Sequence, residues 1–189
     1  MKRYVIITVG KTHSGKSTFA KLLNKQLTNS IIVDQDNHAE FINQYYSNLQ
    51  PKSGPNILKH AVSKLVVAYA VEHTNDHLII CNSNRNKIRR QHLIQWYRNN
   101  ELIPVIVHFD IPDDVLLKRV QTSTRKTNIF RFASNFEEVL ARQCEDAKDD
   151  DIQEPNENEA DYFFRITHEM DTDLVIHKIQ EIVSSQFEN

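Results

Sequence analysis

Glycine is scarce in this chain: among 189 residues only Gly10, Gly15 and Gly54 occur. So few glycines exclude a collagen-like repeat or a flexible low-complexity linker. Cysteine is limited to Cys81 and Cys144, too few for a disulfide framework or a cysteine-based zinc site, so a reducing compartment is expected. No apolar run approaches the ~20 residues that a membrane span needs. Neither sign of charge dominates, with 23 Lys and Arg against 25 Asp and Glu. A net charge of -2 gives no general attraction to nucleic acid or an anionic membrane, so any polyanion site must be local. The histidines show no metal-ligand spacing, and none is read as a ligand. Met-Lys-Arg followed by Tyr4–Val9 superficially resembles a secretion signal, but the apolar run is too short and leads into glycine, not a cleavage site. A cytoplasmic location is expected.

What is present alternates regularly. Tyr4–Val9, Ile31–Val33, Leu78–Cys81, Val105–Phe109 and Tyr162–Ile166 are short apolar runs suited to strands buried on both faces. Between them lie helical patterns at 17–27, 37–76 (broken by the turn-rich stretch 47–56), 86–99, 113–121 and 136–147, with a closing helix at 174–187. Ile57, Ala61, Leu65, Ala68 and Val71 can share one inward face, as can Leu93, Trp96 and Tyr97. The acidic stretch 149–161 reads as a solvated loop. The pattern predicts one α/β domain over residues 1–189, with a parallel sheet between helical layers. Residues 37–75 would form a helical insertion covering an acceptor, and about 119–135 a lid.

Two of the three glycines fall in Gly10-Lys11-Thr12-His13-Ser14-Gly15-Lys16-Ser17, a complete match to the phosphate-binding loop G-x-x-x-x-G-K-[ST]. A buried strand enters it and a helix leaves it, the context the motif requires. Glycines let backbone N–H groups turn toward phosphate oxygens, and the helix N-terminus adds positive potential. Lys11, Thr12, His13, Ser14, Gly15, Lys16, Ser17 and Thr18 are the expected ATP-binding set. Lys16 would contact the β- and γ-phosphates and the Ser17 hydroxyl would ligate Mg²⁺. His13 occupies a free position of the motif, its side chain expected toward solvent.

Asp34 and Asp36 follow the second strand, where a parallel sheet opens its ligand crevice. Extended alternation would aim both at the phosphates, Asp34 holding the metal through water and Asp36 accepting the acceptor's proton. The competing reading is a helix-capping pair. No guanine-reading Asn-Lys-x-Asp and no Leu-Ser-Gly-Gly-Gln signature occurs, and the chain is short for a motor; kinases of small acceptors remain. Arg119, Arg125, Lys126 and Arg131 surround the polar segment 121–128, a candidate lid whose cations would neutralise developing charge. Arg85, Lys87, Arg89 and Arg90 form the densest basic cluster, read as a solvated helix start or as phosphate contacts. Tyr45, Tyr46, His60 and Lys64 are placed near the acceptor by the insertion alone.

From Lys2 to about Ile166 the sequence resembles P-loop kinases of the polynucleotide-kinase kind, with zeta-toxin-like and shikimate- or gluconate-kinase-like enzymes further off. The spacing of Lys16 and Asp36, the triplet Asn82-Ser83-Asn84, Arg89-Arg90, Phe109-Asp110, Lys118-Arg119 and Glu154-Pro155 carry the resemblance. Asn82 replaces the family's usual aspartate, and the arginine usual after the catalytic aspartate is missing from Asn37-His38-Ala39-Glu40. The resemblance implies a three-layer P-loop NTPase fold with five parallel strands ordered 2-3-1-4-5. It also implies lid roles for Arg119 and Arg125, and acceptor contacts from Asn82, Asn84 and Arg89. Either a small molecule or a nucleic-acid 5′-hydroxyl is the expected acceptor; an ATP-binding regulatory switch is the alternative.

Overall fold

A computed structural model describes residues 2–130, 133–146 and 149–185. Arg131 and the expected helix end at Ala147 lie outside them. The strands are β1 (Arg3–Val9), β2 (Ser30–Asp34), β3 (His77–Cys81), β4 (Leu102–Phe109) and β5 (Tyr162–Ile166). They form one parallel sheet in the order β2-β3-β1-β4-β5, as expected. The helices are α1 (Lys16–Gln26), α2 (Gln35–Tyr45), α3 (Ile57–His73), α4 (Lys87–Asn99), α5 (Asp113–Gln121), α6 (Phe136–Glu145) and α7 (Asp171–Ser184). None is long and apolar enough to cross a membrane.

The strands are continuously apolar because helices cover both sheet faces. Tyr4, Ile6, Ile79, Val105, Val107 and Phe109 pack with Phe19 and Leu23 of α1, Leu116 of α5 and Ile176 and Ile179 of α7. On the other face Val5, Ile7, Leu78, Ile80 and Ile106 meet Ala70 of α3 and Ile94 and Tyr97 of α4. β4 begins before Pro104, not after it. The missing N–H is tolerated because pairing with β5 starts only at Val105↔Tyr162, and the Pro104 carbonyl accepts the Asp161 N–H at 3.1 Å.

Three packing expectations are corrected. On α3, Ile57 and Leu65 are 67% and 70% exposed, while Ser63 and Ala70 are buried and Val67 and Val71 pack on the sheet. Apolar residues surround this helix, so periodicity does not select its inner face; small Ser63 and Ala70 do, by allowing close approach. On α4, Trp96 lies at the edge and Arg90 is buried instead. Arg90 makes two contacts with Glu159, at 2.7 and 3.0 Å, and donates to the carbonyls of Asn84, Arg85 and Gln153. The acidic stretch is therefore not wholly solvated. Its Glu159 forms a buried ion pair with part of the basic cluster, and nothing local in the sequence marks partners 69 positions apart.

Candidate active site

The glycine loop joins β1 to α1 at the carboxyl edge of the sheet. Gly10 has φ 153, and a Cβ there would stand 2.9 Å from the Cβ and carbonyl oxygen of Phe109. Gly15 precedes α1 at φ 102, in the left-handed region that favours glycine. The first turn of α1 holds no acidic residue and no side-chain cap, which leaves its N–H groups available to an anion.

Lys16 Nζ donates to the Lys11 carbonyl and to Ser14 Oγ, the latter at 3.0 Å. No carboxylate pairs with it among the described residues. Although the residue keeps some accessible surface, burial of the ammonium brings its pKa down to about 8. A desolvated cation in a ring of backbone N–H groups fits a polyphosphate. Ser17 Oγ donates to Asp34 Oδ2 at 3.1 Å, a hydroxyl–carboxylate pair of the kind that holds Mg²⁺. Cys81 Sγ is 3.5 Å from Ser17 Oγ, and burial pushes its thiol up to about 12, so it is a neutral floor to the site.

Asp34, not Asp36, is the cap of α2: its Oδ1 accepts the Asp36 N–H at 2.9 Å. Because α2 starts at Gln35, the extended alternation expected for these residues does not apply. Both still line the same cavity, of about 980 Å³. Asp36 Oδ2 accepts from Arg125 Nη2 at 2.8 Å, and the Arg125 guanidinium also sits 5.2 Å from the Phe136 ring centroid. Asn128 Nδ2 reaches Glu40 Oε1 at 2.8 Å, and Asn43 donates to the Asn128 carbonyl, so the segment after α5 lies over α2.

Thr12, His13, Gly15, Lys16, Ser17, Thr18, Asp34, Asp36, Asn82, Arg119 and Arg125 all line the cavity. Lys11 and Ser14 do not contribute to its wall. Lys11 pairs with Asp113, lowering the pKa of that carboxyl, and Ser14 is buried. Asn82 Oδ1 accepts the Gln35 N–H at 3.2 Å, pinning α2 to β3. Asn84 donates to the Thr8 carbonyl at 2.9 Å, and Arg89 is exposed on α4; neither lines the cavity. Arg119 bridges the His13 carbonyl at 3.2 Å and Glu169 at 2.8 Å.

His13 does not face solvent. It contacts Thr12 Oγ1 at 3.0 Å and Ser123 Oγ at 2.8 Å and stands edge-on to Phe136, tying the loop to the segment after α5. Burial, with Arg125, Lys16 and Arg119 nearby, lowers its pKa to about 4 and keeps the ring neutral. Sequence reasoning missed Lys21, Asn56, Lys59, Cys81, Arg142 and Gln143, which also line the cavity. Gln143 Oε1 accepts the Thr12 N–H at 2.7 Å, and Arg85 holds the Gln143 carbonyl at 2.6 Å. Helical spacing on α6 marks Phe136 and Leu140 as core but gives no sign that Gln143 meets the loop. Tyr45, Tyr46, His60 and Lys64 lie outside the wall.

A five-stranded parallel sheet ordered 2-3-1-4-5, with this loop between β1 and α1, defines a P-loop NTPase fold. The chain belongs to the AAA domain family, which it matches over residues 5–148. No curated protein sequence matches it. Among solved structures it is similar to Chaetomium thermophilum Kti12 in complex with ADP-AlF3, at 16% identity over 94% of this chain and 97% of that one, with TM-score 0.62. The Mycobacterium tuberculosis APS kinase CysC, solved with AMPPNP and APS, is 16% identical over 96% and 98%, with TM-score 0.60. Shikimate kinase from Bacteroides thetaiotaomicron is 14% identical over 95% and 98%, with TM-score 0.58.

Proposed function

We propose that this protein is a kinase that transfers the γ-phosphoryl group of MgATP to a hydroxyl of a small molecule or of a nucleic-acid end. The observation that carries this reading is one cavity lined by two unlike groups, the Lys16 cradle and the Asp36 carboxylate. Lys16 neutralises the β- and γ-phosphates, while Ser17, with Asp34 through water, would hold Mg²⁺, which would supply further positive charge for the transferring phosphoryl group. Asp36 takes the proton of the attacking hydroxyl. Arg119 and Arg125 supply positive charge where the transferred group becomes electron-rich. Asn37, Glu40, Asn56 and Lys59 face the same space from the α2–α3 segment and form the acceptor wall. The three similar structures support this reading through their names or bound nucleotide analogues: a shikimate kinase, an APS kinase with AMPPNP, and Kti12 with ADP-AlF3.

The ion pair between Asp36 and Arg125 favours one other reading, a nucleotide-dependent switch with little transfer activity, because it covers the base. ADP release from MgATP, measured against 5′-hydroxyl oligonucleotides, nucleosides, nucleotide sugars, polyols and aminoglycosides, separates the two. Release that depends on one acceptor and is lost in Asp36→Asn establishes the kinase. Tight ATP binding with no response to any acceptor counts for the switch.

A further inference from the structure

His108 sits on β4 and points, like Ile106, to the face covered by α4. It is 4% exposed, and its Nδ1 is buried without a hydrogen-bond partner. The other buried imidazole on the sheet is satisfied: His77 Nδ1 accepts the Tyr4 N–H at 3.1 Å. A buried polar atom without a partner is unfavourable, so His108 Nδ1 calls for one. Two carboxylates stand beside it, Asp110 just past the end of β4 and Glu154 in the segment before β5. One ligand atom from each of His108, Asp110 and Glu154 falls within 4.8 Å of the others.

We propose that His108, Asp110 and Glu154 form a divalent transition-metal site, separate from the Ser17–Asp34 pair and suited to Zn²⁺. An imidazole nitrogen with two carboxylate oxygens selects Zn²⁺ over Mg²⁺, which prefers oxygen alone. Ligand atoms about 2.0–2.2 Å from a common ion stand closer together than 4.8 Å, and a rotamer change of exposed Glu154 closes the difference. Arg165 Nη1, 3.5 Å from Asp110 Oδ2, is the competing cation, a weak and half-exposed contact that an ion displaces. The charge of Arg90 also acts on the imidazole, but its guanidinium is paired with Glu159. Burial outweighs the two carboxylates in setting the His108 proton affinity and lowers it. The bound ion would staple β4 to the 149–161 segment, already held to α4 by the Lys87 N–H on the Asp151 carbonyl at 2.8 Å.

The test uses the whole chain, stripped with chelator and free of nucleotide, titrated with Co²⁺ as a coloured stand-in for Zn²⁺ in the presence of excess Mg²⁺. One equivalent should bind with weak visible bands and no thiolate charge-transfer band, and Zn²⁺ should displace it and raise Tm. Glu154→Gln, a change at an exposed position, should weaken binding at least about tenfold and abolish the Zn²⁺-dependent rise in Tm. The proposal is overturned by no saturable binding, by a thiolate band, or by a Glu154→Gln affinity within about threefold of the parent.

Discussion

Lys16 and Asp36 carry opposite charge into one cavity, and each has a measurable signature. The Lys16 ammonium, with its pKa lowered to about 8 by burial, is charged below that pH and loses its proton above it. Phosphate favours the charged form, so ATP affinity should be flat below about pH 8 and fall as pH rises past it, with proton uptake on binding in calorimetry. Lys16→Ala should remove both the affinity and its pH dependence; unchanged binding would disprove the assigned cradle. Asp36→Asn should leave ATP affinity near that of the parent and lower acceptor-dependent kcat by about 10²–10⁴. That both residues stand at one crevice was legible in the sequence, Lys16 from its motif and Asp36 from its place after a strand. The division of labour beside them was not. Capping was the competing reading for this pair, but that Asp34 caps α2 while also accepting from Ser17 depends on α2 starting one residue past it.

At the scale of elements, the glycine loop is fastened to the segment after α5 and to α6 by contacts that reach across the chain. Gly10→Ala would drive a methyl group to 2.9 Å from Phe109, whose backbone belongs to β4 and cannot yield. A loss of about 1–3 kcal/mol is expected in denaturant unfolding, together with weaker ATP binding because the loop must shift. His13 and Gln143 show why a motif read from sequence is incomplete. The motif fixes the loop's backbone, whereas the groups that brace it come from Ser123 and α6, more than 100 positions away. Strands were the most legible elements, since burial on both faces leaves an unbroken apolar run. Helix α3 was the least, because its exposed Ile57, Leu65 and Tyr69 imitate a core face.

Over the whole molecule, sheet order followed from the resemblance, which supplied the order 2-3-1-4-5 that the strands adopt. Long-range side-chain pairing was not readable in this way. The Arg90–Glu159 pair joins α4 to the segment before β5 with both side chains nearly inaccessible. Arg90→Met should destabilise by about 3–5 kcal/mol, since it strands a buried carboxylate. Adding Glu159→Gln should recover part of that loss in thermal unfolding. A double variant no more stable than Arg90→Met would mean that Arg90 acts through its carbonyl contacts instead.

The contact between Arg125 and Asp36 also bears on waste. Water is the commonest hydroxyl in any cell and the smallest that can enter the crevice. On the proposed reading, with the Asp36 carboxylate held by the Arg125 guanidinium, a stray water beside bound nucleotide would find no base ready to receive its proton. Only a molecule large enough to part the two groups would release it. Arg125→Ala should accordingly raise ADP release without acceptor relative to release with acceptor. On the proposed reading the resting ion pair would be an interlock: fuel would be spent only when cargo is aboard.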